Sequence, residues 1–287
     1  MTAKKENAKR LGIYLLIVFA FMLFYILCAK LMHQSNTVYY IIYMIFSFSP
    51  AIASLIARVV TKEGFRDMKL HMHLTGNIRY YLLAFELPLI CLSAMFLLPV
   101  IVSGHADWLG GFTFGNVLSN AFLLISFSAV QSIGLLGEEL GWRGYMNQKM
   151  EPLLGTVGTC LGGGIVWSLW HLPMDIAGYF GGNGTFSEVL VSTFGRLAML
   201  TCFGAFLMWL TKKTNSVFPA VIAHFMYNES QGAVMSLLAQ DNIPENASLP
   251  LWTDVVRYIP ILILAVIFMI LLLKNKKKGK RQPFHAY

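Results

Sequence analysis

The sequence predicts an all-α fold, a polytopic bundle of about eight transmembrane helices, and three observations carry that expectation. Only 13% of the 287 residues are charged while 56% belong to the hydrophobic set, and the mean hydropathy is +0.62. A soluble domain carries about 25% charged residues, so an ordinary soluble globule is excluded. Apolar runs of the ~20 residues needed to cross ~30 Å of hydrocarbon recur along the whole chain. Basic residues, 22 against 14 acidic for a net charge of +8, fall in alternate loops.

The runs lie at 11–29, 37–57, 80–102, 112–146, 153–173, 189–211, 217–239 and 255–273 within a single integral membrane domain. The fourth is overlong, which tilt or an extension into the cytoplasm would accommodate. Lys4, Lys5, Lys9 and Arg10 precede the first run. Arg58, Lys62, Arg66, Lys69 and Arg79 follow the second, Lys212 and Lys213 the sixth, and Lys274 to Arg281 the eighth. The intervening loops hold Lys30 alone. The positive-inside rule then puts both termini in the cytoplasm. The basic tail reads as a solvated flank, with no nucleic-acid partner implied. The first run is too long for a signal-peptide core, and no small-x-small site follows it. Cys28, Cys91, Cys160 and Cys202 stand singly in apolar stretches and read as small buried hydrophobes.

An ionisable side chain inside a span needs a partner or a job. The short set here is Glu86, Glu138, Glu139, Arg143, His171, Arg196, His224 and Glu229. In Gly137-Glu138-Glu139-Leu140-Gly141-Trp142-Arg143, Glu139 and Arg143 are four apart, share a helix face and can neutralise each other. Glu138 points away from that pair, without a local cation, as a general base would. Equally, the stretch could be a juxtamembrane charge cluster.

Trp167 and His171 are also four apart, so the indole can pack beside the imidazole and orient it, although tryptophans here also suit an interfacial belt. His224 and Asn228 lie one turn apart and could donate to a single anionic oxygen, as an oxyanion site requires; Asn228 could instead bond a neighbouring helix. Glutamate, two imidazoles and an amide are the parts needed to add water to a carbonyl. Glu138, His171 and His224 are also what a catalytic zinc takes. Neither the H-E-x-x-H signature nor a G-x-S-x-G elbow occurs.

Taken in order on three spans, Glu138-Glu139-x-x-x-Arg143, Trp167-x-x-x-His171 and His224-x-x-x-Asn228 resemble the CAAX protease and bacteriocin-processing enzyme family of intramembrane proteases, also called the Abi family. The resemblance covers about 127–228. It implies an endopeptidase acting on a membrane-associated peptide or protein within the lipid bilayer. By position, Glu138 and His171 would activate water, His224 and Asn228 would hold the oxyanion, and Glu139 with Arg143 would fix the fourth helix. It leaves open a cofactor, zinc or another divalent ion on Glu138, His171 and His224, because the same side chains suffice without one. Trp167, where the family often has Phe, is a departure expected to matter little. A proton-coupled transporter and a non-catalytic immunity or scaffold protein are the rival readings, and the sequence is silent on substrate and oligomeric state.

One strain remains in that picture. His171 lies ~25 Å along its helix if the helix starts near Gly155, whereas Glu138 and His224 lie within a few turns of cytoplasmic ends. For the three to meet around a cavity, Gly155 to Gly164 is expected to be an irregular or re-entrant entry to the helix.

Overall fold

The computed structural model describes residues 3–32, 36–109, 113, 115–116, 119, 132–182, 184–236, 249–250 and 252–279. Among them the ordered elements are helical and no strand occurs. The order is α1 (Ala3–Met32), α2 (Asn36–Ser47), α3 (Ser49–Val60), α4 (Ile78–Val102), α5 (132–141), a π turn (Trp142–Met146), α6 (Asn147–Phe180), α7 (Phe186–Thr214), α8 (Phe218–Ser236) and α9 (Trp252–Gly279). Five helical stretches are long and apolar enough to cross a membrane, six if the bent α2–α3 pair is one span. Most of the first half of the expected fourth run, and the end of the seventh, lie outside the described residues.

The expected second span is not one helix. α2 and α3 meet at Phe48 with a 47° bend, and Pro50 occupies the first turn of α3. A proline there has no N–H to give to a preceding turn, so the chain restarts instead of continuing. The break makes room for α5: a methyl group added to Gly141 would sit 2.3 Å from the Pro50 side chain. Only glycine permits that approach. Ser49, at the break, accepts a hydrogen bond from the Trp170 indole at 3.0 Å.

The expected irregularity from Gly155 to Gly164 is also corrected. Only Gly155 leaves helical geometry, at φ 72° and ψ 177°, a left-handed φ that glycine adopts without the Cβ penalty. Residues 156–164 are regular helix. The preceding arm is the part that extends: α5, the π turn and the first turns of α6 run on to Leu154 before the chain reverses. Glu138 lies 17 positions before Gly155 and His171 lies 16 after it, so a hairpin turning at Gly155 brings both to the same height. A methyl group added to Gly163, halfway down the hairpin, would lie 3.3 Å from the Asn147 side chain and 3.7 Å from that of Met146, as this register requires.

The fifth span does not end at Pro173 either; α6 continues to Phe180 with that proline inside it. α7 begins with a capping box, Thr185 with Glu188, and ends at Asn215 in left-handed conformation.

The end of the bundle bearing the basic loops is closed by charge. Arg58, read from sequence as a loop residue, is 1% exposed and donates to the carbonyls of Gly64 (2.9 Å) and Gly144 (3.4 Å) and to the Asp67 carboxylate. Lys149 is also buried, paired with Glu63 and, at 3.4 Å, with Asp67. Tyr145 donates to Glu63 at 3.3 Å. Partial burial works against the charge of Asp67, but Arg58 and Lys149 prevail and hold its carboxyl below the usual aspartate range.

Candidate active site

Glu138 stands on α5, His171 on α6, and His224 and Asn228 on α8; all four line one cavity of about 890 Å³. That volume falls within the ~300–1,000 Å³ typical of ligand sites. Each of these side chains except Asn228 has a visible orienting partner.

Glu138 accepts a hydrogen bond from the Trp167 indole N–H, 3.1 Å from its Oε2, which leaves the other carboxylate oxygen for the cavity. His171 Nδ1 lies 2.8 Å from the Trp167 carbonyl oxygen. A carbonyl can only accept, so Nδ1 carries the proton and, in the neutral ring, Nε2 keeps its lone pair. His224 Nδ1 lies 2.9 Å from Glu139 Oε1; a carboxylate accepts, so Nδ1 carries a proton here too, and Nε2 is the nitrogen left for the cavity.

Glu139 does not reach the cavity. It is fully buried, and its Oε1 also accepts from Arg143 at 2.9 Å, the four-residue pairing read from sequence. Because it binds Arg143 and His224 together, Glu139 ties α5 to α8. Breaking such a buried pair is costly, since it leaves one desolvated charge behind.

Trp167 joins these groups. Its ring lies beneath the Arg143 guanidinium at 4.1 Å and edge-on to His224 at 5.0 Å, while its N–H holds Glu138. Against His171 the closer ring is Trp170, at 4.9 Å compared with 6.3 Å for Trp167. The indole expected to orient His171 therefore orients Glu138 and His224, and only its backbone carbonyl fixes His171. A phenylalanine could not donate to Glu138, so this departure from the family pattern has a chemical consequence.

Sequence reasoning missed Asp175. It sits one turn beyond His171, past the proline taken as the helix end, and receives both Arg196 amino groups at 2.6 and 3.1 Å as well as the Ser192 hydroxyl at 3.3 Å. Ser168 donates to the Thr193 carbonyl at 3.0 Å. These bonds clamp the half of α6 that carries His171 to α7. The spacing signal was available, since Asp175 follows His171 by four residues and Arg196 was otherwise an unpartnered intramembrane cation.

Glu86 is exposed on α4 and Glu229 half-buried on α8; neither lines the cavity. Among the described residues, no three His, Cys, Asp or Glu side chains are grouped as metal ligands would be. Nδ1 of both histidines is committed to an oxygen and Nε2 of each is left over, the arrangement that a metal-ligating histidine also uses.

With this geometry in view, comparison with known proteins identifies the segment. Residues 117–229 match the family described as type II CAAX prenyl endopeptidase Rce1-like. This stretch is similar to that family. The matched segment contains every cavity residue discussed above as a sequence motif. CAAX prenyl protease 2 of Methanococcus maripaludis is 25% identical over 148 residues, 49% of this chain and 52% of the relative. The chain thus spans about half the length of the curated relative it matches. The match falls on an all-helical chain with membrane-length apolar helices that carries its acid and histidine motifs on separate helices.

Proposed function

We propose that this protein is an intramembrane endopeptidase that hydrolyses a peptide bond of a membrane-associated polypeptide. The observation that carries the reading is the convergence of Glu138, His171, His224 and Asn228 on one cavity from three helices. A water bound there donates one hydrogen to the free oxygen of Glu138 and the other to His171 Nε2, which turns a lone pair toward the substrate carbonyl. On attack, Glu138 takes the proton and a tetrahedral oxyanion forms. The Asn228 amide and the protonated Nε2 of His224 donate to it, with Glu139 offsetting the imidazolium charge. Collapse breaks the C–N bond as Glu138 returns its proton to the leaving nitrogen, so that water is consumed and an acid and an amine are released.

The match of residues 117–229 to the CAAX prenyl endopeptidase model supports proteolysis, as does the relative named a prenyl protease. Glu139 and Arg143 act in this scheme as supports behind the site. The mechanism uses side chains alone; whether a divalent ion adds to it is a separate question, answered by assaying protein shown by elemental analysis to be metal-free. Both termini and the basic loops lie on the cytoplasmic side of a plasma membrane in this reading.

The test is cleavage of a membrane-anchored reporter peptide by purified protein in detergent, compared with His171→Ala and His224→Ala. We expect the wild type to cut and each variant to lose ~10²-fold or more. Binding of the peptide without cleavage by the wild type would favour the immunity or scaffold reading, and wild-type rates in both variants would refute the assigned roles.

A further inference from the structure

The cavity has a direction. Its walls come from the beginnings of α2 (Tyr39, Tyr40), α7 (Val191) and α9 (Tyr258) and from the far part of α6 (Met174). All are the helix ends opposite the basic loops. Along α7 the lining runs from Leu200 back to Val191, and along α2 from Ser47 back to Tyr40, about 10–13 Å toward that end at 1.5 Å per residue. At the end of this run Tyr40 is 64% and Val191 73% exposed.

Toward the basic loops the same helices close. Below Glu138 come Glu139, Trp142, Arg143 and Tyr145, all at most 4% exposed, and then the buried Arg58 and Lys149. On that side lie a void of about 10 Å³ beside Arg143 and a pocket of about 100 Å³ lined by Lys69, Gln148 and Lys212. The first holds one water at most, and the burial of Glu139, Trp142, Arg143 and Tyr145 leaves no peptide-sized passage from the basic face to Glu138 among the described residues.

We infer that the substrate enters from the face opposite the basic loops. Its class is then a polypeptide presented in that leaflet, a translocated or membrane-spanning chain, and not a lipid-modified tail held at the basic face. The aromatic and thioether walls of Tyr39, Tyr40 and Met174 suit apolar side chains flanking the scissile bond. Calling the occupant a substrate rests on the protease reading; the direction of access does not.

Single cysteines at Met174 and Val191 on the cavity, and at Arg66 in an exposed basic loop, test the direction in full-length protein. The wild type, whose four cysteines are buried or half-buried, gives the blank. A membrane-impermeant maleimide is applied to spheroplasts and to inverted vesicles of the same cells. Met174→Cys and Val191→Cys are expected to react only in the preparation where Arg66→Cys is silent, and an apolar peptide is expected to slow labelling of Met174→Cys by ~10-fold. Reaction of Met174→Cys from the same side as Arg66→Cys would overturn the inference, and so would its failure to react from either side. Val191→Cys, at the rim, reports the same direction if Met174→Cys misfolds. Correct labelling without peptide cleavage would defeat the protease reading and leave the access route standing.

Discussion

At the end of the bundle that carries the basic loops, Arg58, Glu63, Asp67, Glu139, Arg143 and Lys149 neutralise one another and shut the structure. A few ångströms further in, Glu138, His171 and His224 are held by hydrogen bonds that leave one oxygen or ring nitrogen each for a cavity. The chemical types are nearly the same; what differs is whether an acid's partner is a full countercharge or a neutral donor. Glu138 and Glu139 are adjacent in sequence and fall on opposite sides of this division. A helix rotates 100° per residue, so neighbouring carboxylates necessarily face different surroundings.

That contrast can be broken from the open side first. Glu138→Gln removes the base but retains an acceptor for the Trp167 N–H, so kcat is expected to fall ~10³-fold with the melting temperature unchanged. A melting loss would mean that Glu138 belongs with the structural charges. The next largest effect is on the closed side: Glu139→Ala strands Arg143 and takes the acceptor from His224. A cost of about 3–5 kcal/mol is expected, read as roughly a 10 °C drop in melting temperature in detergent, together with lost activity. Unaltered melting would refute the pairing.

Trp167→Phe sharpens the boundary between the two regions. The ring stays beneath Arg143 and only the donor to Glu138 is lost, so about a tenfold to hundredfold loss in kcat is expected with little change in melting. The smallest effect belongs to Asp67. Its folded carboxyl titrates below its unfolded value, so its contribution is complete above the ordinary aspartate range and is lost as pH falls through the folded value. Because its side chain is 45% exposed, only ~0.2–1 kcal/mol is at stake. Asp67→Asn should lower the melting temperature slightly at neutral pH and flatten its decline below about pH 4.

Much of this was legible in the sequence, and what was not has identifiable causes. Apolar run length reports burial in lipid, so the all-helical, membrane-spanning class was legible in the hydropathy. Spacing of four put Glu139 on Arg143 and His224 beside Asn228. Hydropathy carries no information about direction within a run, however, and the bend at Phe48 was invisible although Pro50 lay in view. Reading Pro173 as a terminus hid Asp175. Arg58 looked like a topology marker because its carbonyl and carboxylate partners, Gly64, Asp67 and Gly144, come together only in the folded chain. The direction of the cavity is a property of packing among α2, α6, α7 and α9, and no local pattern encodes it.

The reversal at Gly155 also bears on when the protein becomes active. Glu138 and His171 belong to a single helical hairpin whose contacts are close in sequence and so form early. His224 and Asn228 arrive more than fifty residues later, on α8. A nascent chain that has made only the hairpin and α7 can position water but has nothing to receive the negative charge of an attack. In the proposed reading, hydrolytic competence therefore waits for α8 to dock on Glu139 through His224.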